Sequence, residues 1–139
     1  MEAGSRGAHE VGGRSLGLTI KLPTEQQTNP YLTDEIDFYY FFSRKVILSF
    51  SAEAYLFFTG GYGTLDEFFE IITLIQTNKI ERVPIVLVGV EFWKPIDEFI
   101  KNSLDKKYKT ISSEDTGLYT VTDDADKIIE IIKNSPGRK

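Results

Sequence analysis

The sequence predicts an α/β protein with an open, mostly parallel sheet and helices on both of its faces. Short apolar runs that suit buried strands alternate with longer segments whose apolar residues recur at helical spacing. The run PIVLVG at 84–89 is continuously apolar, which is typical of a parallel strand covered on both faces. The run AYLFF at 54–58 passes directly through glycines into an acidic helix. Together these features indicate a Rossmann-like fold.

Length and composition limit the functions that this chain can have. Its 139 residues predict a single domain over 1–139. The net charge is −5 and there is no long basic run, so a nucleic-acid polymer is not an expected partner. The chain has no cysteine, which excludes disulfides and cysteine-based zinc sites. No apolar run reaches the roughly 18 residues of a membrane span, and the first residues do not resemble a signal peptide. We therefore expect a cytoplasmic protein without a membrane partner.

The first half of the chain is predicted to contain a weak helix, a strand, a polar loop and an aromatic helix. These elements lie at 2–11, 15–22, 23–35 and 40–51. Gly12 and Gly13 would end the first helix. Phe42, Val46 and Phe50 recur at the spacing of one helical face. The chain opens within a helix that no strand precedes, so we expect an N-terminally truncated form of the fold.

The second half alternates strand and helix more regularly. Strands are predicted at 54–58, 84–89 and 117–123, and helices at 65–78, 95–104 and from about 125 to 134. Either Asp123 or Asp124 would cap the last helix, because a carboxylate at that position accepts hydrogen bonds from the first helical N–H groups. Residues 135–139 are expected to form a frayed tail.

The stretch TGGYGTLDE at 59–67 places three glycines in four positions between a buried strand and a helix. The N–H groups at a helix N-terminus lack partners within the helix and carry partial positive charge. Glycines let the backbone approach an anion closely, and Thr64 adds a hydroxyl donor. We therefore interpret Gly60, Gly61, Gly63 and Thr64 as a phosphate cradle. The alternative is a tight strand-to-helix turn without a ligand.

Two further features of this stretch bear on its chemistry. It is neither the nucleotide P-loop, because it lacks the GK[ST] ending, nor the GxGxxG dinucleotide motif. Glu67 follows Thr64 by three residues, where a glutamate can cap the helix or face a bound ligand. Both interpretations of Glu67 stay open at this point.

The stretch GGYGTLDEFFEIITLIQTNKI, together with Arg44 and Lys45, resembles the lonely-guy family of cytokinin riboside 5'-monophosphate phosphoribohydrolases, also labelled lysine decarboxylases. The family motif is PGGxGTxxE. The N-terminal segment MEAGSRGAHEVGGRSLGLTIKLPTEQQTNPY also matches the family, so the resemblance covers nearly the whole chain. Thr59 stands where the family has proline. The resemblance also implies two more strand–helix units before Met1.

The resemblance implies cleavage of the N-glycosidic bond of a nucleoside 5'-monophosphate, either AMP or a modified AMP, to a free base and ribose 5-phosphate. It implies that Arg44 and Glu67 are catalytic. The implied substrate-binding residues are Glu25, Lys45, Gly60, Gly61, Gly63, Thr64 and Thr73. Family members are commonly dimers, so a homodimer is expected as well.

Two other functions, nucleotide binding without hydrolysis and lysine decarboxylation, are alternatives to the hydrolase. A nucleotide-binding module of the same fold would hold a phosphate without hydrolysis. Lysine decarboxylation would need pyridoxal phosphate and a Schiff-base lysine, but no lysine lies on or near the glycine turn, so we predict no cofactor. One histidine and no cysteine leave only carboxylates as metal ligands, so we predict no metal site. We expect the aromatic run 38–42 to form core or dimer interface rather than to stack on a base.

Overall fold

The computed structural model describes residues 2–21 and 29–136. They form two compact units, Met1–Ser51 and Ala52–Lys139. Within the described residues there are five α-helices and five strands, and each strand pair is parallel. The predicted α/β class is confirmed, whereas the single domain stays a prediction. No helix in the described ranges is long and apolar enough to cross a membrane.

The first unit contains two helices and a two-stranded parallel sheet. In chain order its elements are α1 (Glu2–Glu10), β1 (Leu16–Ile20), β2 (Asp34–Phe38) and α2 (Phe41–Ser51). The register runs from Leu16 beside Asp34 to Ile20 beside Phe38. The predicted bounds of β1 and of both helices agree with the structure to within two residues.

Strand β2 corrects the predicted loop at 23–35, because Asp34 and Glu35 belong to a strand. In its sequence DEIDF, Ile36 and Phe38 alternate with acidic residues, yet four of the five residues are exposed, so the alternation does not mark a buried face. The strand is held instead by backbone pairing with β1 and by polar contacts next to it. Arg14 Nη2 donates to Asp34 Oδ2 at 2.7 Å, and Thr33 Oγ1 donates to the carbonyl of Ser15 at 2.9 Å. Residues 23–28 of the predicted loop, and residue 22 of the predicted strand before it, lie outside the described residues.

The second unit builds helices around a three-stranded parallel sheet with the order β3–β4–β5. Its strands are β3 (Tyr55–Phe57), β4 (Ile85–Leu87) and β5 (Thr120–Val121), and its α-helices are α3 (Tyr62–Gln76), α4 (Val90–Phe99) and α5 (Ala125–Lys133). Helix α4 continues into a π-helical segment, Ile100–Lys107, and a short 3₁₀ helix, Ser113–Gly117, precedes β5.

The core of the second unit lies between α3 and the central strand. All three residues of β4 are buried, as the continuous apolar run predicts for a strand with neighbours on both sides. Phe68 on α3 is fully buried and meets the rings of Trp93 and Tyr119 edge-on, with centroids 5.3 Å and 5.5 Å away. This aromatic contact ties α3 to α4 and β5, and so fixes where α3 begins relative to the sheet.

Two helix starts differ from the prediction, and one cap is confirmed. Helix α3 begins at Tyr62 instead of 65, and α4 begins at Val90 instead of 95. Both start directly after a glycine, earlier than the apolar periodicity indicates. Asp124, rather than Asp123, caps α5 and accepts from the backbone N–H groups of Asp126 and Lys127 at 3.0 Å and 3.2 Å. Residues 137–139 of the predicted tail lie outside the described residues.

Candidate active site

The carboxyl ends of the three strands in the second unit meet at one edge of the sheet. Phe57 pairs with Leu87, which pairs with Val121, so the strands end in register. The segment that follows each strand therefore lies beside the others. In open α/β sheets this edge is where ligands bind. The glycine turn follows β3 here, as the sequence predicts.

The glycine turn is closed by Thr64. A Cβ at position 60 would overlap Oγ1 of Thr64, so only glycine permits the Thr64 side chain to lie there. The hydroxyl is thereby placed inside the turn rather than on the outer face of α3. The binding of a phosphate by Gly60 and Thr64 stays a prediction.

The N-terminus of α3 is open to an approaching group. Gly61 is the N-cap, in extended backbone, and makes no side-chain capping hydrogen bond. A Cβ at position 61 or 63 would meet no atom within 4 Å, so packing within the described chain does not require glycine at either position. Bare backbone at the start of a 15-residue helix suits a ligand that contacts the N–H groups themselves.

The neighbouring helix N-terminus at the same edge is occupied by the chain itself. Asp123, two residues after β5, accepts hydrogen bonds from the N–H of Gly89 at 2.5 Å and from the N–H of Val90 at 3.1 Å. A carboxylate at a helix N-terminus satisfies both the unpaired N–H groups and the helix dipole. From the sequence, Asp123 is predicted only as one of two alternative caps for α5. It is the last residue of the predicted strand 117–123, and that position is the signal that it lies at the ligand edge.

Glu67 lies further into α3 than the sequence indicates. Because the helix begins at Tyr62, Glu67 is its sixth residue, in the second turn, and Thr64 occupies the third position, where a capping glutamate would lie. The capping interpretation of Glu67 is therefore wrong. Its side chain is half-buried on the helix that begins at the glycine turn. The structure leaves its catalytic role as a prediction.

The basic pair lies in the first unit. Arg44 and Lys45 are half-buried residues of α2, and Nε of Arg44 is buried. The guanidinium carbon of Arg44 lies 5.9 Å from the centre of the Phe41 ring. The guanidinium of Arg44 is therefore not wholly exposed to solvent. The approach of either residue to the glycine turn remains a prediction.

Two implied substrate contacts lie away from the turn or outside the described residues. Thr73 donates its hydroxyl to the carbonyl of Phe69 at 2.6 Å, within its own helix. It is twelve residues after Gly61, which places it about 18 Å along the helix axis from the N-cap. Thr73 is therefore not part of the glycine turn of its own chain. Glu25 lies outside the described residues.

The aromatic residues that lead into α2 and form its start are not core in this chain. Tyr39, Tyr40, Phe41 and Phe42 are all more than half exposed. Of the two expected roles, core packing is contradicted for these four residues. The dimer interface stays a prediction.

Comparison with known proteins agrees with the resemblance found in the motifs. A family model described as possible lysine decarboxylase matches residues 1–132. Two cytokinin riboside 5'-monophosphate phosphoribohydrolases of Arabidopsis thaliana are similar to the chain. One is 26% identical over 131 residues, which are 93% of this chain and 60% of the relative. The other is 35% identical over 66 residues, which are 47% of this chain and 30% of the relative.

Proposed function

The chain belongs to the family described as possible lysine decarboxylase, and from this premise we propose that it is a nucleoside 5'-monophosphate phosphoribohydrolase. It would cleave the N-glycosidic bond of AMP or a modified AMP to a free base and ribose 5-phosphate. The observation that carries the proposal is the bare N-terminus of α3, with Glu67 in the second turn of the same helix. The two Arabidopsis relatives are named for this reaction on cytokinin riboside 5'-monophosphates.

The phosphate is assigned to the glycine turn because the two helix N-termini at this edge differ. At α4 the N-terminal N–H groups of Gly89 and Val90 already donate to Asp123. At α3 the N-cap is a glycine without a side-chain hydrogen bond. An incoming dianion would therefore meet a repelling carboxylate at α4 and partial positive charge at α3. Thr64 would add its hydroxyl to the backbone donors.

The chemistry asks for a carboxylate near the ribose. Water adds to C1′ while the bond from C1′ to the base nitrogen breaks, and the base nitrogen keeps the bonding electrons. One proton of the water ends on that nitrogen, so the products are the free base and ribose 5-phosphate. The transition state carries positive charge on the ribose, which Glu67 would stabilise while it orients the water. By resemblance to the family, Arg44 would bind the phosphate or assist the departing base.

The description of the family as possible lysine decarboxylases does not fit the residues around the turn. Decarboxylation through pyridoxal phosphate needs a lysine for the Schiff base. The lysines nearest to the turn in sequence are Lys45 and Lys79, and Lys79 follows the C-terminal end of α3. A visible absorption band in the purified protein would contradict this assignment.

We propose further that the protein acts as a cytoplasmic homodimer. The exposed aromatic side chains at 39–42 continue along α2 with Val46, Ile47 and Phe50, each more than 40% exposed. Apolar area of this kind on one helix suits burial against a second copy. The binding-module function is the second candidate, because a bare helix N-terminus holds phosphate whether or not hydrolysis follows.

The decisive experiment is release of free base from AMP and from a prenylated AMP, measured chromatographically. Glu67→Gln should lower the rate by about 100-fold or more if the carboxylate takes part in the chemistry. Glu70→Gln is the matched control, since Glu70 is a half-buried carboxylate three residues later on the same helix. Its rate should stay near that of the wild type. A folded wild-type protein that binds the nucleotide without releasing base would establish the binding module instead.

A further inference from the structure

Gly89 is held by hydrogen bonds at both its backbone N–H and its carbonyl. Its backbone has φ +107° and ψ 68°, a region that favours glycine. Its N–H donates to Asp123, and its carbonyl accepts from the N–H groups of Phe92 and Trp93 at 3.0 Å each. Asp123 also accepts from Val90 through both carboxylate oxygens at 3.1 Å. The start of α4 is therefore anchored to the end of β5.

Thr59 rests against this anchored residue. A Cβ at position 89 would lie 2.6 Å from Cγ2 of Thr59, which is too close for two carbon atoms, so glycine fits at this position and a larger residue does not. The Thr59 methyl thus packs against the bare Cα of Gly89. Thr59 directly precedes Gly60, the residue on which the Thr64 side chain rests. One series of contacts therefore joins Asp123, Gly89 and Thr59 to the first residue of the glycine turn.

We propose that Asp123 is a positioning residue for the glycine turn, acting through Gly89 and Thr59. Its relevance to catalysis rests on the proposed function, in which that turn binds the substrate phosphate. The carboxylate holds Gly89 in place, Gly89 provides the surface on which the Thr59 methyl rests, and Thr59 restricts the backbone that enters the turn. A proline at position 59 would restrict φ covalently. In this chain Thr59 is restrained instead by the contact of its methyl group with Gly89, two residues after the end of the neighbouring strand β4.

Hydrogen exchange of the ligand-free protein tests the series of contacts without any assumption about activity. Asp123→Ala should speed exchange of the amides at 65–67 as well as those at 89–93, because both segments lose the same anchor. Residue 65 is the first in α3 whose N–H donates within the helix, from Leu65 to the carbonyl of Gly61 at 3.2 Å, so its exchange reports on the glycine turn. Asp124→Ala is the matched control, since Asp124 is the adjacent carboxylate and caps α5 in the same way. It should speed exchange only at the start of α5. Exchange at 65–67 that stays at the wild-type rate in Asp123→Ala would overturn the proposal.

A pair of substitutions at Thr59 tests the same contact without touching the carboxylate, and serves also if Asp123→Ala does not fold. Thr59→Val keeps a methyl on the β-carbon and loses the hydroxyl, whereas Thr59→Ser does the reverse. Thr59→Ser should speed exchange at 65–67 and Thr59→Val should not. The opposite order would show that the hydroxyl, rather than the methyl contact, holds the turn, and would overturn the proposal.

Kinetics then connect the contacts to the proposed reaction. Asp123→Ala should raise KM for the nucleotide by about tenfold and change kcat by less than about threefold, because a misplaced phosphate turn weakens binding in the ground and transition states alike. A fall in kcat with unchanged KM would contradict the positioning role. If the wild type releases no base, the proposed function fails, while the exchange result still decides whether Asp123 positions the turn.

Discussion

The side chain of Thr64 lies against the Cα of Gly60, so close that a Cβ at position 60 would overlap the Thr64 hydroxyl oxygen. Four residues apart, they form the inner wall of the turn between β3 and α3. The relationship distinguishes Gly60 from its neighbours Gly61 and Gly63, where a Cβ would meet no atom within 4 Å. Substitutions at these glycines are therefore expected to have different effects.

Gly60→Ala should displace the Thr64 side chain and abolish phosphate binding. The new methyl and the hydroxyl cannot share the same space, so either the Thr64 rotamer or the backbone of the turn must change. Such rearrangements typically cost about 1–3 kcal/mol of unfolding free energy. Denaturant unfolding and a binding titration with ribose 5-phosphate measure the two effects. Adding Thr64→Ala should restore part of the stability but not binding, because the overlap with the hydroxyl is removed while the Cβ of residue 64 would still lie 2.9 Å from the new methyl.

Gly63→Ala should separate a ligand site from a plain turn. Position 63 lies in the first turn of α3 with open space around it, so alanine should stabilise the protein by up to about 1 kcal/mol through helix propensity. If phosphate approaches the N–H groups there, the added methyl should at the same time weaken nucleotide binding. Thermal unfolding and a binding titration on one sample provide both values. Higher stability with unchanged affinity would indicate that no anion contacts position 63.

The course of α3 shows how far sequence reasoning reaches at this site. The glycines predict a helix start, and Phe68 and Ile75 predict its buried face correctly. The start itself was placed three residues late, because Tyr62 is 94% exposed and Gly63 carries no side chain, so neither contributes to apolar periodicity. That shift moved Glu67 into the apparent first turn and suggested a capping role that the structure contradicts.

Contacts that depend on register between distant segments were the ones missed. Strand β2 is exposed and polar, and only its backbone pairing with β1 makes it a strand. Asp123 caps α4 because β4 and β5 end in register, 34 positions apart in sequence from Gly89 to Asp123. The contact between Asp123 and Gly89 leaves no local pattern in the sequence, and the two apolar residues of β2 are too few to predict a strand. The cap of α5 by Asp124 is local, and it was among the two predicted residues.

Tyr119 should remain protonated at a pH where ordinary tyrosines ionise. Burial raises the pKa of its hydroxyl, and so does the hydrogen bond that the hydroxyl donates to Asp97 at 2.8 Å, beside the negative charge of that carboxylate. Because the folded-state pKa is raised, the stabilisation is fully present below the unfolded pKa of about 10 and is lost as the pH rises above it.

Ultraviolet titration of tyrosinate in the wild type and in Tyr119→Phe measures this effect. Below the pH of alkaline unfolding the two curves should coincide, since Tyr119 contributes no tyrosinate in the folded protein. A loss of amplitude in Tyr119→Phe near pH 10, about where tyrosines ordinarily ionise, would show that the pKa of Tyr119 is not raised.

The exposed aromatic surface of α2 should determine whether the protein associates. Phe42 is 68% exposed and Val46, one turn later on the same helix face, is 51% exposed. The double substitution of Phe42→Ser and Val46→Ser should weaken self-association by tenfold or more, which corresponds to about 1.4 kcal/mol of binding free energy. The reason is that apolar area at the centre of an interface contributes most of its affinity. Sedimentation velocity over a concentration series measures the change.

Tyr108→Ser removes an equally exposed aromatic side chain outside α2 and should leave association unchanged. Equal weakening in both proteins would assign association to general surface hydrophobicity rather than to α2, and a wild type that sediments as a monomer at all concentrations would contradict the homodimer.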